Sequence, residues 1–208
     1  MADIREFEKQ FENKGFSIIA GVDEAGRGPL AGPVVSAAVI LPSSFPSVGV
    51  TDSKKLTPKK RDELYKEIYI HAVAVGIGIV DPIEIDRINI LRASLLSMTM
   101  SVENLTPQPE YILIDGTFPI MSDLPQEPVP HGDRLSLSIA AASIVAKVTR
   151  DRLMARYHQD YPQFGFSGNK GYPTKAHKEA ISKFGFCPIH RRTFKGVKEY
   201  VKQASEIR

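Results

Sequence analysis

A single cysteine, Cys187, stands in 208 residues. That excludes a disulfide framework and a cysteine-rich zinc site, and it fits a reducing compartment. No apolar run reaches the roughly 20 residues that a bilayer crossing needs. The opening Met-Ala-Asp-Ile-Arg-Glu-Phe-Glu places acids where a secretory signal would be basic and then apolar. Internal repeats and low-complexity tracts are also lacking. A cytoplasmic protein without a membrane partner is expected, as a monomer with one sizeable core plus a small appendage.

Neither charge sign dominates, with 27 Lys and Arg against 24 Asp and Glu, but the distribution is uneven. Residues 147–208 hold 14 basic against 5 acidic residues, a balance of +9, and residues 1–146 hold 13 against 19, a balance of −6. An acidic body joined to a basic C-terminal third suits an enzyme that grips a polyanion, although basic tails also serve solubility.

The most informative stretch runs from Ile18 to Pro33. The apolar run Ile18–Val22 predicts a buried strand, and two adjacent carboxylates, Asp23 and Glu24, end it. Burying paired acids is costly unless a cation or a hydrogen-bond network compensates them. A hard divalent ion such as Mg2+ or Mn2+ prefers such oxygen ligands. Gly26 and Gly28 would let backbone N–H groups approach a ligand, with Arg27 between them as a fork for phosphate or sugar oxygens. The same residues could form a solvated turn carrying an Arg–Glu surface pair.

Further strands are predicted over residues 33–41, 72–80 and 111–115, with a short one near Val129. Thr57 and Pro58 form a helix start, and helices are predicted over residues 83–102, 135–157 and 174–184, with a last basic helix after Lys195. Crossover through the 83–102 helix would set the fourth strand parallel to the first, bringing Asp23, Glu24 and Asp115 to adjacent carboxyl ends. The expected architecture is α/β, a mixed sheet flanked by helices. A boundary near residues 161–171 divides residues 1–160 from a basic extension, 161–208.

Strand-DEAGRG, Ile114-Asp115-Gly116, Gly132-Asp133, the segment from Ser138 to Arg152, Gly171-Tyr172-Pro-Thr-Lys-Ala-His177, His190-Arg191 and Asp52-Ser-Lys-Lys-Leu56 resemble the bacterial ribonuclease HII family in collinear order. The resemblance implies a ribonuclease H-like mixed five-stranded sheet with a small C-terminal helical extension. It implies an endoribonuclease that cuts RNA in RNA–DNA hybrids and incises 5′ of single ribonucleotides embedded in duplex DNA, leaving 3′-OH and 5′-phosphate ends. Asp23, Glu24, Asp115 and Asp133 would carry two divalent ions, Mn2+ or Mg2+. Gly26, Arg27 and Gly28 match the motif that grips the ribonucleotide 2′-hydroxyl, Tyr172 the tyrosine on the following deoxyribose, and Lys54 and Lys55 the backbone contacts.

Two positions depart from the family pattern: His131 stands for a usual Lys, and Lys170 for a frequent Tyr. Arg27 is the choice of this family rather than of its sister, ribonuclease HIII. Structural alternatives remain at several positions: Asp133 as a cap of the following helix, Tyr172 as a packing residue, the lysines near residue 55 as a solvated face, and Asp151 as half of a surface ion pair. His131, His177 and His190 lack a compact zinc-ligand spacing.

Overall fold

The computed structural model describes residues 4–46, 50, 53 and 56–201; Asp52, Lys54 and Lys55 lie outside the described residues. Five strands, β1 (Ile19–Ala25), β2 (Val34–Ile40), β3 (Ala74–Val80), β4 (Tyr111–Asp115) and β5 (Gln126–Val129), form one sheet in the order β3-β2-β1-β4-β5. The β1–β2 and β2–β3 pairs are antiparallel, whereas β1–β4 and β4–β5 are parallel. The expected placement of the fourth strand beside the first is thus observed. Pro128 is tolerated in β5 because that strand lies at the edge.

The crossover is two helices rather than the single one expected over residues 83–102. Asn89 adopts φ +71°, ends α3 (Pro82–Ile88) and caps α4 (Ile90–Glu103) by accepting from the Arg92 amide at 3.1 Å. An asparagine that tolerates positive φ and caps the next turn explains the break. A further helix, α1 (Glu6–Glu12), has no counterpart among the expected elements.

Helix α2 (Pro58–His71) starts at Thr57 and buries Leu64 and Ile68, as its pattern required. The long helix α5 (Leu137–Asp160) begins two residues later than expected, because Ser136 is its cap and accepts from the Ile139 amide at 3.2 Å. Glu8 Oε1 reinforces that end, accepting from both the Ser138 amide at 2.9 Å and the Ser136 hydroxyl at 2.6 Å. A carboxylate suits the positive end of a helix dipole.

α5 covers one sheet face and α4 the other. Strand alternation puts Ala37 and Val39 with α5 and Ala38 and Ile40 with α4. Gly21 lies where any Cβ would collide with the Ser138–Ile139 backbone, so glycine lets the start of α5 lie directly on β1. Full burial of a side chain such as Ile144 contributes about 1.5–3 kcal/mol.

Beyond α5 the chain forms α6 (Phe166–Asn169) and α7 (Lys175–Phe184). The helix expected after Lys195 starts only at residue 198, since residues 195–197 form a turn, and it is described as far as residue 201. Phe164, Phe166, Ile181 and Val197 share an apolar cluster with Leu30, Ala31 and Met154. Among the described residues no helix is long and apolar enough to cross a membrane.

Candidate active site

Parallel register sets the centre. Val22 pairs with Ile114, so the next residues, Asp23 and Asp115, emerge side by side at the carboxyl ends of β1 and β4. Alternation puts Asp23 on the α5 face with Gly21, and Asp115 on that face with Leu113. Asp23 is 5% exposed. Burial, then the charges of Glu24 and Asp115, hold its carboxyl well above the ordinary range, while hydrogen bonds from Ser143 and from the Glu24 amide at 2.6 Å oppose the shift.

The third and fourth acids arrive differently. Glu24, one residue on, points to the opposite face of the strand and approaches Arg27 Nη1 at 3.5 Å. The Arg–Glu pair of the turn reading therefore exists beside the acid cluster. Asp133 sits in a short 3-10 turn, Gly132–Arg134, and is 6% exposed. That turn hangs from Asp115, whose Oδ1 accepts from the Gly132 amide at 2.7 Å. Asp133 is not the cap of α5, because Ser136 fills that position.

Among the described residues no three Asp, Glu, His or Cys side chains already close into a ligand group. Strand alternation sets Glu24 on the opposite face from Asp23 and Asp115, so the acids approach from two sides. The donor set nevertheless fits a hard cation: every acid offers oxygen, and the crowding of the like charges of Glu24 and Asp115 on buried Asp23 is what a divalent ion would relieve.

Two buried arginines build the loop after the acids. Arg191 donates to the carbonyls of Gly26, Arg27 and Gly32 at 2.6–3.0 Å. Arg150 donates to those of Ala31, Pro33 and Lys170 at 3.0–3.1 Å. With carbonyls turned inward onto guanidinium groups, the loop has its acceptors satisfied from below. Gly26 has φ +103° and a Cβ there would strike the Arg150 side chain, so this glycine is required by the fold. Gly28 meets no such limit: among the described residues a Cβ would have only Tyr172 Cε1 near it, at 3.7 Å.

Tyr172 is 41% exposed and faces the loop across a cleft that also includes Glu24, Arg27, Ser143 and Lys147. The Ser143 and Ser53 hydroxyls share a hydrogen bond at 2.8 Å, tying α5 to the residue before Lys54, although Lys54 and Lys55 are outside the described residues. Asp151 pairs with Lys147 at 2.8 Å on α5, as its spacing suggested. His131 adopts φ +59° just before the Asp133 turn, and Lys170 adopts φ +53° with its carbonyl on Arg150. Arg150, Arg191 and Ser143 were missed as positioning groups. An arginine amid the apolar and small residues of the Ser138–Arg152 motif was the available signal for Arg150, and the His190-Arg191 motif was the signal for Arg191.

The mixed sheet order with acids on two adjacent parallel strand ends defines the ribonuclease H-like class. The fold superposes on the crystal structure of the ribonuclease H2 from Pyrococcus horikoshii OT3 with a TM-score of 0.76 at 29% identity, covering 91% of this chain and 99% of that one. The sequence model of the ribonuclease HII family matches residues 20–197. Ribonuclease HII of Syntrophus aciditrophicus (strain SB) is 52% identical over 195 residues, 94% of this chain and 92% of that protein. That of Geotalea daltonii (strain DSM 22248 / JCM 15807 / FRC-32) is 55% identical over 197 residues, 95% and 91% respectively. The chain belongs to the ribonuclease HII family, endoribonucleases of the ribonuclease H type that degrade the RNA of RNA–DNA hybrids.

Proposed function

We propose that this enzyme cuts the RNA strand of hybrids and also incises 5′ of a single ribonucleotide in duplex DNA, by two-metal-ion hydrolysis. The products are 3′-OH and 5′-phosphate ends. The observation that carries the reading is the cleft in which Glu24 meets the Gly26–Arg27–Gly28 loop on one side and Tyr172 on the other, with Asp23 preceding Glu24 on the strand.

Asp23, Glu24, Asp115 and Asp133 would hold the ions, Mn2+ or Mg2+. When bound, such ions polarise the attacking water and stabilise the leaving oxygen. The chain's own groups orient the substrate. Gly28 leaves space beside the loop for a sugar, and the Gly26–Gly28 amides with Arg27 meet its 2′-hydroxyl, the group that distinguishes RNA from DNA. Tyr172 packs on the following deoxyribose. Lys54 and Lys55 contact the nucleic-acid backbone. Residues 1–160 act as the catalytic domain and 161–208 as a basic substrate-binding extension. The enzyme works as a cytoplasmic monomer in removing ribonucleotides from DNA.

Cleavage mapping on a DNA duplex with one ribonucleotide, with Mg2+ or Mn2+ supplied, tests this reading. A single cut 5′ of the ribonucleotide is expected. Equal cutting of all-DNA duplex would point to a resolvase-like nuclease, and binding without cutting to a nucleic-acid-binding module.

A further inference from the structure

Tyr172 is held through a buried hydrogen-bonded chain that the acid chemistry does not use. His177 and His190 are 0% and 1% exposed, with their Nε2 atoms 3.0 Å apart. His177 Nδ1 lies 2.8 Å from the Tyr172 carbonyl oxygen. At the other end, the Cys187 amide donates to His190 Nδ1 at 3.0 Å, with the Cys187 sulfur 3.1 Å from the same nitrogen.

The chemistry of the ends fixes every proton. A carbonyl only accepts, so His177 Nδ1 must donate. Burial holds the His177 ring below its ordinary pKa, and burial together with His177 pushes His190 down to about 4, so both rings are neutral at neutral pH. His177 Nε2 therefore accepts, and His190 Nε2 donates to it. His190 Nδ1, left as an acceptor, receives the Cys187 N–H. Each ring nitrogen has one role, and the chain runs one way, from Cys187 to the Tyr172 carbonyl.

Packing keeps the rings in place. Phe164 lies edge-on to His190 at 4.8 Å between centroids, and Phe166 edge-on to His177 at 5.4 Å. Burying two imidazoles costs desolvation that an apolar pair would avoid. What this arrangement provides and an apolar pair could not is a directed hydrogen bond onto the backbone of Tyr172. The same carbonyl also accepts from the Thr174 amide at 2.8 Å, and the Tyr172 amide donates to the Asn169 carbonyl at 2.9 Å. The Tyr172 backbone is thereby fixed on both sides while its ring faces the cleft.

We propose that His177 and His190 are positioning residues that set the Tyr172 ring for the sugar junction, making them determinants of specificity for a single embedded ribonucleotide. The proposal rests on the reading of Tyr172 given above. It concerns discrimination between substrates, not the hydrolytic step.

The test compares kcat/KM on a duplex with one ribonucleotide and on a long RNA–DNA hybrid, for the full chain with Mg2+. In His177→Asn the amide nitrogen can stand near the position of Nδ1 and still donate to the Tyr172 carbonyl. In His177→Gln the amide reaches toward His190 and that donor is lost. Tyr172→Ala is expected to lower the ratio of the two efficiencies by at least about tenfold. His177→Gln should lower it by a similar factor, through KM more than kcat, and His177→Asn should keep it within about threefold. Combined with Tyr172→Ala, His177→Gln should cost little more, since the two act through one contact. If Tyr172→Ala leaves the ratio unchanged, the Tyr172 reading fails and the proposal falls with it. If Tyr172→Ala lowers the ratio but the Asn and Gln variants behave alike, or the double variant is additive, the histidines only support the fold and the proposal alone is overturned.

Discussion

Arg191 Nη2 donates to the carbonyl oxygen of Gly26 at 2.6 Å, joining residues 165 positions apart. Through that bond and its companion to Arg27, the C-terminal segment shapes the loop that follows the two acids. Burial, then the neighbouring Arg150, pull Arg191 down to about 9, so it remains charged at neutral pH.

Arg191→Lys should therefore do measurable harm. A lysine can reach one carbonyl but lacks the planar fork that meets several. Each lost charge-assisted bond is worth roughly 1.5–3 kcal/mol. Urea denaturation is expected to show a loss of at least about 2 kcal/mol. Cleavage at a single ribonucleotide should fall more than cleavage of a long hybrid. A variant as stable as the parent would mean that the loop does not depend on this residue.

Asp115→Asn should abolish cleavage and leave substrate binding measurable. The carboxylate stands beside Asp23 at the centre of the proposed metal site. Removing a ligand charge should lower the rate by roughly three decades. Its Oδ1 bond to the Gly132 amide can be kept by the asparagine oxygen, so folding should survive. Retention of more than about a tenth of the parent rate would remove Asp115 from the ligand set.

Asp133 and Ser136 divide the two roles, acid and helix cap, that overlap in the sequence. Ser136→Ala should cost about 1 kcal/mol of stability through loss of the α5 cap, with activity of the folded enzyme retained. Asp133→Asn should melt within a few degrees of the parent yet turn over at least about tenfold more slowly at saturating metal. Thermal melts paired with single-turnover rates check both. Full activity of Asp133→Asn would detach this acid from the chemistry.

Asp23 makes the metal-free enzyme pH-sensitive in a definite direction. Its folded-state pKa is raised, mainly by burial and then by Glu24 and Asp115. The stability this group contributes is fully present below the unfolded value near 3.8 and is lost as pH rises through the folded value. At neutral pH in chelator, Asp23→Asn should therefore melt higher than the parent. Added Mg2+ or Mn2+ should raise the parent's melting temperature and leave the variant's less changed. Identical melting of the two in chelator would show that Asp23 carries no burden of buried charge.

Removing residues after Tyr161 would strip Phe164, Phe166 and Arg191 from the core, so charge variants test the basic extension better than truncation. Lys178 and Lys195 border a hollow that also includes Gly28 and Pro173. Lys178→Ala with Lys195→Ala should weaken hybrid binding. It should also flatten the slope of log affinity against log salt by about 0.9 for each phosphate that the protein no longer neutralises. An unchanged slope would place the binding surface elsewhere.

Local chemistry along the chain was enough to read the strand that carries Asp23 and Glu24, the Thr57 cap, and the parallel crossover to Asp115. Those features depend on neighbours a few residues apart, where apolar period, cap residues and turn glycines act directly. The split at Asn89 and the helix over Glu6–Glu12 escaped, because one turns on a single φ and the other on docking against β4 and α5. What only the tertiary structure decided is how distant groups complete the site. Glu8 meets the start of α5 across 130 positions, Arg150 and Arg191 gather the carbonyls of residues 26–33, and His177 meets His190 to hold Tyr172. Buried polar groups must find partners wherever the fold brings them, and no periodicity along the chain records which distant carbonyl or ring that partner is.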